Sequence, residues 1–247
     1  MSKTYETGHP KNLANFETLI SFVIGFGATY NPSKTAIHLG NMQAQATLAK
    51  NAISNLNLIL ATHGNAVVDR EIAFKPLQKL CTRILNSLKA TDASLQVVDN
   101  LITLNRKIQG SRASAKVSKE EKATLLAQGK EINQVSTSQQ SYDSLLDNFD
   151  KLVKLLASIP LYVPNETELK VTTLVALHAN LKLKNATVVN AATTLSNARL
   201  TRNEILYHPE TGIITTALDV KTYVKSVYGT SSPQYKQISA LPFTRAK

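Results

Sequence analysis

Apolar residues recur along this chain at steps of three and four. Leu13, Phe16, Ile20 and Val23 share one helical face, predicting a helix that opens behind Pro10 and ends at Gly25, Gly27 and the Tyr30-Asn31-Pro32 turn. Ser33 is placed to cap a second helix with a long seam: Leu39, Met42, Ala46, Ala49, Ile53, Leu56 and Leu60. Three heptads at that spacing point to long helices packed in a bundle. His63-Gly64-Asn65 is a stop or a kink. A third helical region surrounds Pro76 and runs to Lys89, and Asp92 caps a fourth with Leu95, Val98, Leu101 or Ile102, and Ile108 inside.

Residues 111–140 change character, being rich in Ser, Lys, Glu and Gln. They read as a polar connector in which Ser118 and Glu121 form a capping box for a short helix over Glu120 to Gly129. Beyond it the plan resumes. Leu145, Phe149, Leu152 and Leu156 make a helix that stops by Pro160 and Pro164, and Asn165 with Glu168 forms the next capping box. A long seam follows through Leu174, Leu177, Leu181, Lys184, Val188, Ala191, Leu195 and Ala198. Lys184 is its polar interruption, a residue type that covers apolar surface with its stem. His208 to Gly212 is a turn, Ile213 to Tyr228 a helix, and Ser231 or Ser232 caps a last short one with Pro233 in its first turn.

The plan resumes with an echo of the sequence itself. Asn15-Phe16-Glu17 returns as Asn148-Phe149-Asp150, 133 positions on, and Leu19, Ile20 and Val23 map at that offset onto Leu152, Val153 and Leu156. Asn65-Ala66 and Arg70 return as Asn197-Ala198 and Arg202, and Glu71-Ile72 with Phe74 as Glu204-Ile205 with Tyr207. The expectation is an all-α fold of two pseudo-repeated helical bundle units: 1–110, the connector 111–140, and 141–247.

Composition sharpens this picture only a little. The 247 residues include no Trp, and 43% are hydrophobic, so Leu, Ile, Val and Ala must build the core. The single Cys81 sits in the apolar row Leu77, Leu80, Ile84, Leu85 and Leu88, which excludes an internal disulfide framework and reads as a small core residue. The start of the chain shows no apolar run behind basic residues, so the expected setting is cytoplasmic. The run from Leu19 to Ala28 is far shorter than the roughly 20 residues of a membrane span. The net charge of +11 is spread, with +5 over 1–110, +2 over 111–140 and +4 over 141–247. Spread charge aids solubility and attracts polyanions without identifying a nucleic-acid binder.

Candidate chemistry is sparse. His9, His38, His63, His178 and His208 show no metal-ligand spacing, so no metal is expected. Gly25-Phe26-Gly27 lacks the glycine pattern of a dinucleotide or phosphate loop, and no cofactor is expected. No serine sits in a nucleophile elbow. Glu71 and Glu204, each just behind an arginine, are the best paired carboxylates, but they suit helix ties better than acid–base work. One stretch carries more content: Lys221, Tyr223, Lys225, Tyr228, Tyr235, Lys236, Phe243, Arg245 and Lys247 interleave cations and rings without an acidic residue from Lys221 onward. That mixture suits phosphates and stacked bases. It equally suits tyrosines packed on a bundle with their hydroxyls outward.

Within that stretch, Val224-Lys225-Ser226-Val227-Tyr228-Gly229, Ser232-Pro233-Gln234-Tyr235-Lys236-Gln237-Ile238 and Phe243-Thr244-Arg245 resemble uncharacterised helical proteins of Bacteroidota. The resemblance implies a bacterial, cytoplasmic setting and carries no activity, cofactor or site. The sequence therefore leads to a non-enzymatic interaction or structural protein that presents a surface to a protein partner or to itself. A nucleic-acid-associated protein using the Lys/Tyr stretch is the alternative, and a membrane-active helical protein the third reading.

Overall fold

Helices account for the regular structure throughout a computed structural model that describes residues 8–111, 124, 126–128 and 140–245. In chain order they are α1 (His9–Phe26), α2 (Leu39–Phe74), α3 (Leu77–Lys89), α4 (Leu95–Gln109), α5 (Tyr142–Ala157), α6 (Val171–Tyr207), α7 (Ile213–Tyr228) and α8 (Pro233–Ser239). Short 3-10 turns lie at Gly27–Thr29, Thr35–Ile37 and Thr167–Leu169. Among the described residues there is no strand, so the fold is all-α. The expected helix over 120–129 falls largely outside the described residues.

Compactness divides the chain differently from 1–110, 111–140 and 141–247. The first unit takes Met1–Gly64 with Asn190–Lys247, and the second takes Asn65–Val189. Both cuts fall inside long helices, because α2 continues past His63-Gly64-Asn65, expected as a stop or a kink, and does not stop there. At 1.5 Å per residue its 36 residues extend about 54 Å, far beyond what the short helices of one unit can cover.

The first unit holds α1, the start of α2, the end of α6, α7 and α8. Its core is built from Phe16, Leu19, Met42 and Ala49 with Leu206, Ile213, Ala217, Val220, Val224 and Ile238. The second unit holds the end of α2, α3, α4, α5 and the start of α6. Phe149, Leu152, Leu156, Leu174 and Leu181 pack there with Cys81, Ile84, Leu88, Leu101 and Ile108. Each leucine or phenylalanine so buried contributes about 1.5–3 kcal/mol.

A few local features occur in both units. Phe16 and Phe149 are both fully buried, and each is preceded by a buried asparagine, Asn15 or Asn148. Between the first and second helix of each series the chain turns through a Tyr-x-Pro segment, a match the sequence reading missed. The Tyr30 hydroxyl donates to the Ile37 carbonyl at 2.8 Å, and the Tyr162 hydroxyl donates to the Leu169 carbonyl at 3.0 Å. A tyrosine bonding the carbonyl seven residues on closes each turn. Burial raises both phenols above their ordinary value, Tyr162 to about 12.

Local endings depart from the expected caps. Neither Ser33 nor Asn165 caps a helix, since 3-10 turns intervene and α2 and α6 begin at Leu39 and Val171. Glu168 pairs with Arg83 instead of closing a capping box. Ser94, not Asp92, precedes α4. Ser232 does cap α8, its hydroxyl accepting the Tyr235 N–H at 3.1 Å. Gly110 ends α4 in the left-handed region at φ 67°, where its N–H reaches Lys107 and that of Ser111 reaches Arg106, a glycine-dependent helix stop. Gly212 is demanded by space: a Cβ there would lie 2.7 Å from the His208 backbone nitrogen.

Candidate functional site

The cation–ring stretch lies in the first unit, on α7, α8 and the residues after them. Val220 and Val224 turn into the core, which sets the orientation of everything beside them on α7. Tyr223 meets Tyr30 edge-on at 5.2 Å, and its hydroxyl accepts the Asn31 N–H at 3.0 Å. Tyr228 packs beside Phe26 at 5.6 Å and hydrogen-bonds Thr29. Tyr235 is half-buried against the same core. The Tyr223 and Tyr228 rings therefore pack against α1 and the turn behind it.

The cations divide. Lys221 is drawn inward: its Nζ donates to the Leu241 carbonyl at 2.6 Å and the Ser239 carbonyl at 3.3 Å, and lies 5.2 Å from the Phe243 ring. Burial lowers its pKa below the ordinary lysine value. Lys225, Lys236 and Arg245 are exposed, and Lys247 lies outside the described residues. The structure thus joins Lys221 to Phe243 but leaves Tyr223 and Tyr228 serving another neighbour.

A second cluster joins α1 to α6. His9 Nδ1 shares a 2.5 Å hydrogen bond with the Tyr207 hydroxyl, and the two rings meet edge-on at 5.5 Å. Burial, then the nearby Arg202 charge, lowers the His9 pKa. The corresponding place in the second unit pairs Phe74 with Tyr142 at 4.8 Å, and Arg70 stacks 3.9 Å over Tyr142. Arg70 also donates to Asn185 Oδ1 at 3.1 Å, and Asn185 Nδ2 donates to Asp143 at 2.8 Å. The seam lysine Lys184 reaches Asp69 at 2.8 Å.

Two carboxylates in one depression of the second unit pair with lysines a turn away. An open depression of about 480 Å³ collects Asp143, Asp147, Asp150, Lys154, His178 and Lys182. Lys151 meets Asp147 at 2.5 Å and Lys154 meets Asp150 at 2.6 Å. The Lys154 hydrogen bond holds the Asp150 carboxyl below its ordinary range, the reverse of what a general acid needs at neutral pH. Cys81 is fully buried, and burial pushes its thiol up to about 12, which keeps it protonated. Among the described residues no three His, Cys, Asp or Glu side chains converge as a metal shell.

Two further open depressions have lining positions in common. One, about 460 Å³, is lined by Glu71, Ile72 and Phe74 of α2 with Lys75, Leu77 and Tyr142. The other, about 580 Å³, is lined by Glu204, Ile205, Tyr207 and His208, with Leu200 and Pro209. Four lining positions correspond at an offset of 133, so Glu71 and Glu204 mark equivalent helix ends, each in its own unit. Among the described residues no helix is long and apolar enough to cross a membrane, and Leu19, Ile20 and Val23 of the apolar run are core residues. No protein-family model, curated protein or solved structure matches this chain.

Proposed function

We propose that this chain is a non-catalytic helical interaction protein that works by presenting α2 and α6 to a protein partner or to a second copy. One observation carries the reading. More than half of the exposed large apolar side chains among the described residues lie on these two helices. On α2, Leu58, Ala61, Val68 and Ile72 share one face, interrupted by the polar Asn65, with Leu58 67% and Ile72 64% exposed. On α6, Val175, Leu183 and Leu200 are more than half exposed. Single exposed leucines are ordinary, but an exposed stripe with a helical repeat is what a partner helix packs against.

The polyanion reading has less to stand on. Its tyrosines are occupied by packing, so Lys225, Lys236 and Arg245 supply charge without a stacking platform. Light scattering across a concentration series, with cross-linking pull-down, tests the leading reading. Association above the 26.9 kDa chain mass, or a captured partner, should disappear in Leu58→Glu/Ile72→Lys. A wild-type chain that stays at 26.9 kDa and captures nothing beyond that variant's background overturns it.

A further inference from the structure

The start of α1 is tied to the end of α6 through a titratable side chain. Gly8 precedes α1 at φ 122°, so the first turn has no side-chain cap. His9 Nδ1 lies 2.5 Å from the Tyr207 hydroxyl. Asn12, only 2% exposed, settles the direction of that bond. Its Oδ1 accepts the Thr244 N–H at 3.0 Å, so its Nδ2 is the donor end. The two Nδ2 hydrogens go to the Thr244 carbonyl at 2.8 Å and the Tyr207 oxygen at 3.4 Å. The phenol oxygen thus receives a hydrogen from Asn12 and gives its own to His9. Nδ1 must then be bare and the ring neutral, with its proton on Nε2.

A second proton on His9 would undo this arrangement. Nδ1 would become a donor, and the phenol proton would lose its acceptor. The charge would also stand at the positive end of α1. Burial, then the Arg202 charge, already oppose it. The other ionisable groups at this end offer His9 no counter-charge. Lys11 belongs to α1 itself, Arg199 acts on Arg202, Arg245 follows Thr244, and Glu204 lies 3.6 Å from His208 Nε2. His208 Nδ1 in turn accepts the Glu210 and Thr211 N–H groups.

We propose that the His9–Tyr207 bond is an acid-released latch, which holds the start of α1 to α6 while His9 is neutral and opens when His9 is protonated. Because Asn12 joins Tyr207 to Thr244, opening loosens the run after α8 as well. The latch is complete above the ordinary imidazole value of 6.5 and is lost as pH falls through the lowered value of the folded chain. The second unit is an internal control. At an offset of 133 it has Tyr142, Leu145 and Phe74 for His9, Asn12 and Tyr207, a ring pair without an imidazole. The latch stands apart from the exposed face of α2 and α6, and Leu58→Glu/Ile72→Lys leaves it intact.

Hydrogen exchange of the full-length chain at pH 7.5 and 5.5, corrected for the intrinsic pH dependence, reads the latch. The amides of Thr244 and of Asn12 to Phe16 should exchange about threefold or more faster at the lower pH. Those of Leu101 to Ile108 on α4 should not. His9→Phe keeps a ring without the titration and should abolish the difference, with His9→Gln in its place should circular dichroism show that variant unfolded. NMR titration of the wild-type His9 ring should give a midpoint below 6.5. A midpoint at or above 6.5 overturns the latch. So does an acid response that persists in the His9 variant, and its loss in His208→Asn would then assign it to the turn after α6.

Discussion

Where the second unit lays the 15-residue α4 over α3 and α5, the first lays the seven-residue α8 and then the non-helical run from Leu241 to Thr244. The supporting positions differ accordingly. Leucines face a helix that needs nothing from them, and polar side chains face a backbone that needs partners. The same contrast holds at the ring pairs, where Phe74 and Tyr142 carry a stacked arginine while Tyr207 and His9 carry a hydrogen bond. A shared apolar plan leaves the perimeter of each unit open to a separate polar solution.

Core truncation should break both units most severely. Phe16→Ala and Phe149→Ala each remove a fully buried ring and should cost about 3–5 kcal/mol. Hydrogen exchange should localise each loss to its own unit; protection falling equally in both units for either variant would dissolve the comparison.

Swapping the perimeter residues tests the contrast itself. Asn12→Leu imports the residue of the second unit and strands both Thr244 backbone groups, at about 2 kcal/mol. Leu145→Asn makes the reverse change and places an amide against a self-satisfied helix, at about 1 kcal/mol. Urea midpoints read both, and a neutral Asn12→Leu would mean that the run from Leu241 to Thr244 contributes nothing to the fold.

The smallest effect should come from the two turns. Tyr162→Phe and Tyr30→Phe each lose one hydrogen bond, about 1 kcal/mol. The loss should be larger at Tyr162, which is buried where Tyr30 is only half-buried. A larger effect at Tyr30 would mean that its contact with Tyr223 outweighs the turn bond.

Much of the fold is legible from residue spacing. Phe16, Leu19, Val23, Phe149, Leu152 and Leu156 are core residues because a three-and-four period places them on one face. The seam over-reaches at Leu60, which is 49% exposed. A straight helix drifts about 20° per heptad from a 3.5 repeat, so a seam begun at Leu39 has rotated away three heptads later. Gly64 fails as a stop because one glycine costs only about 1 kcal/mol in a helix interior, less than the packing of Leu56 and Ala66 on either side returns. The cation–ring stretch shows what spacing leaves open. Tyr223 and Tyr228 adjoin the buried Val224, and spacing alone does not say that α1 and its turn lie over them.

Local periodicity determined that this is a chain of helices and which residues of most of them face inward. Those are short-range properties, set by side chains three and four positions apart. Only the tertiary structure decided that the compact units share the long helices, that three tyrosines are half-buried, and that Asn12, Asn15 and Lys221 meet the run from Leu241 to Thr244. These depend on residues some 20 to 230 positions apart, whose approach is settled by which burial leaves the fewest backbone groups unpaired.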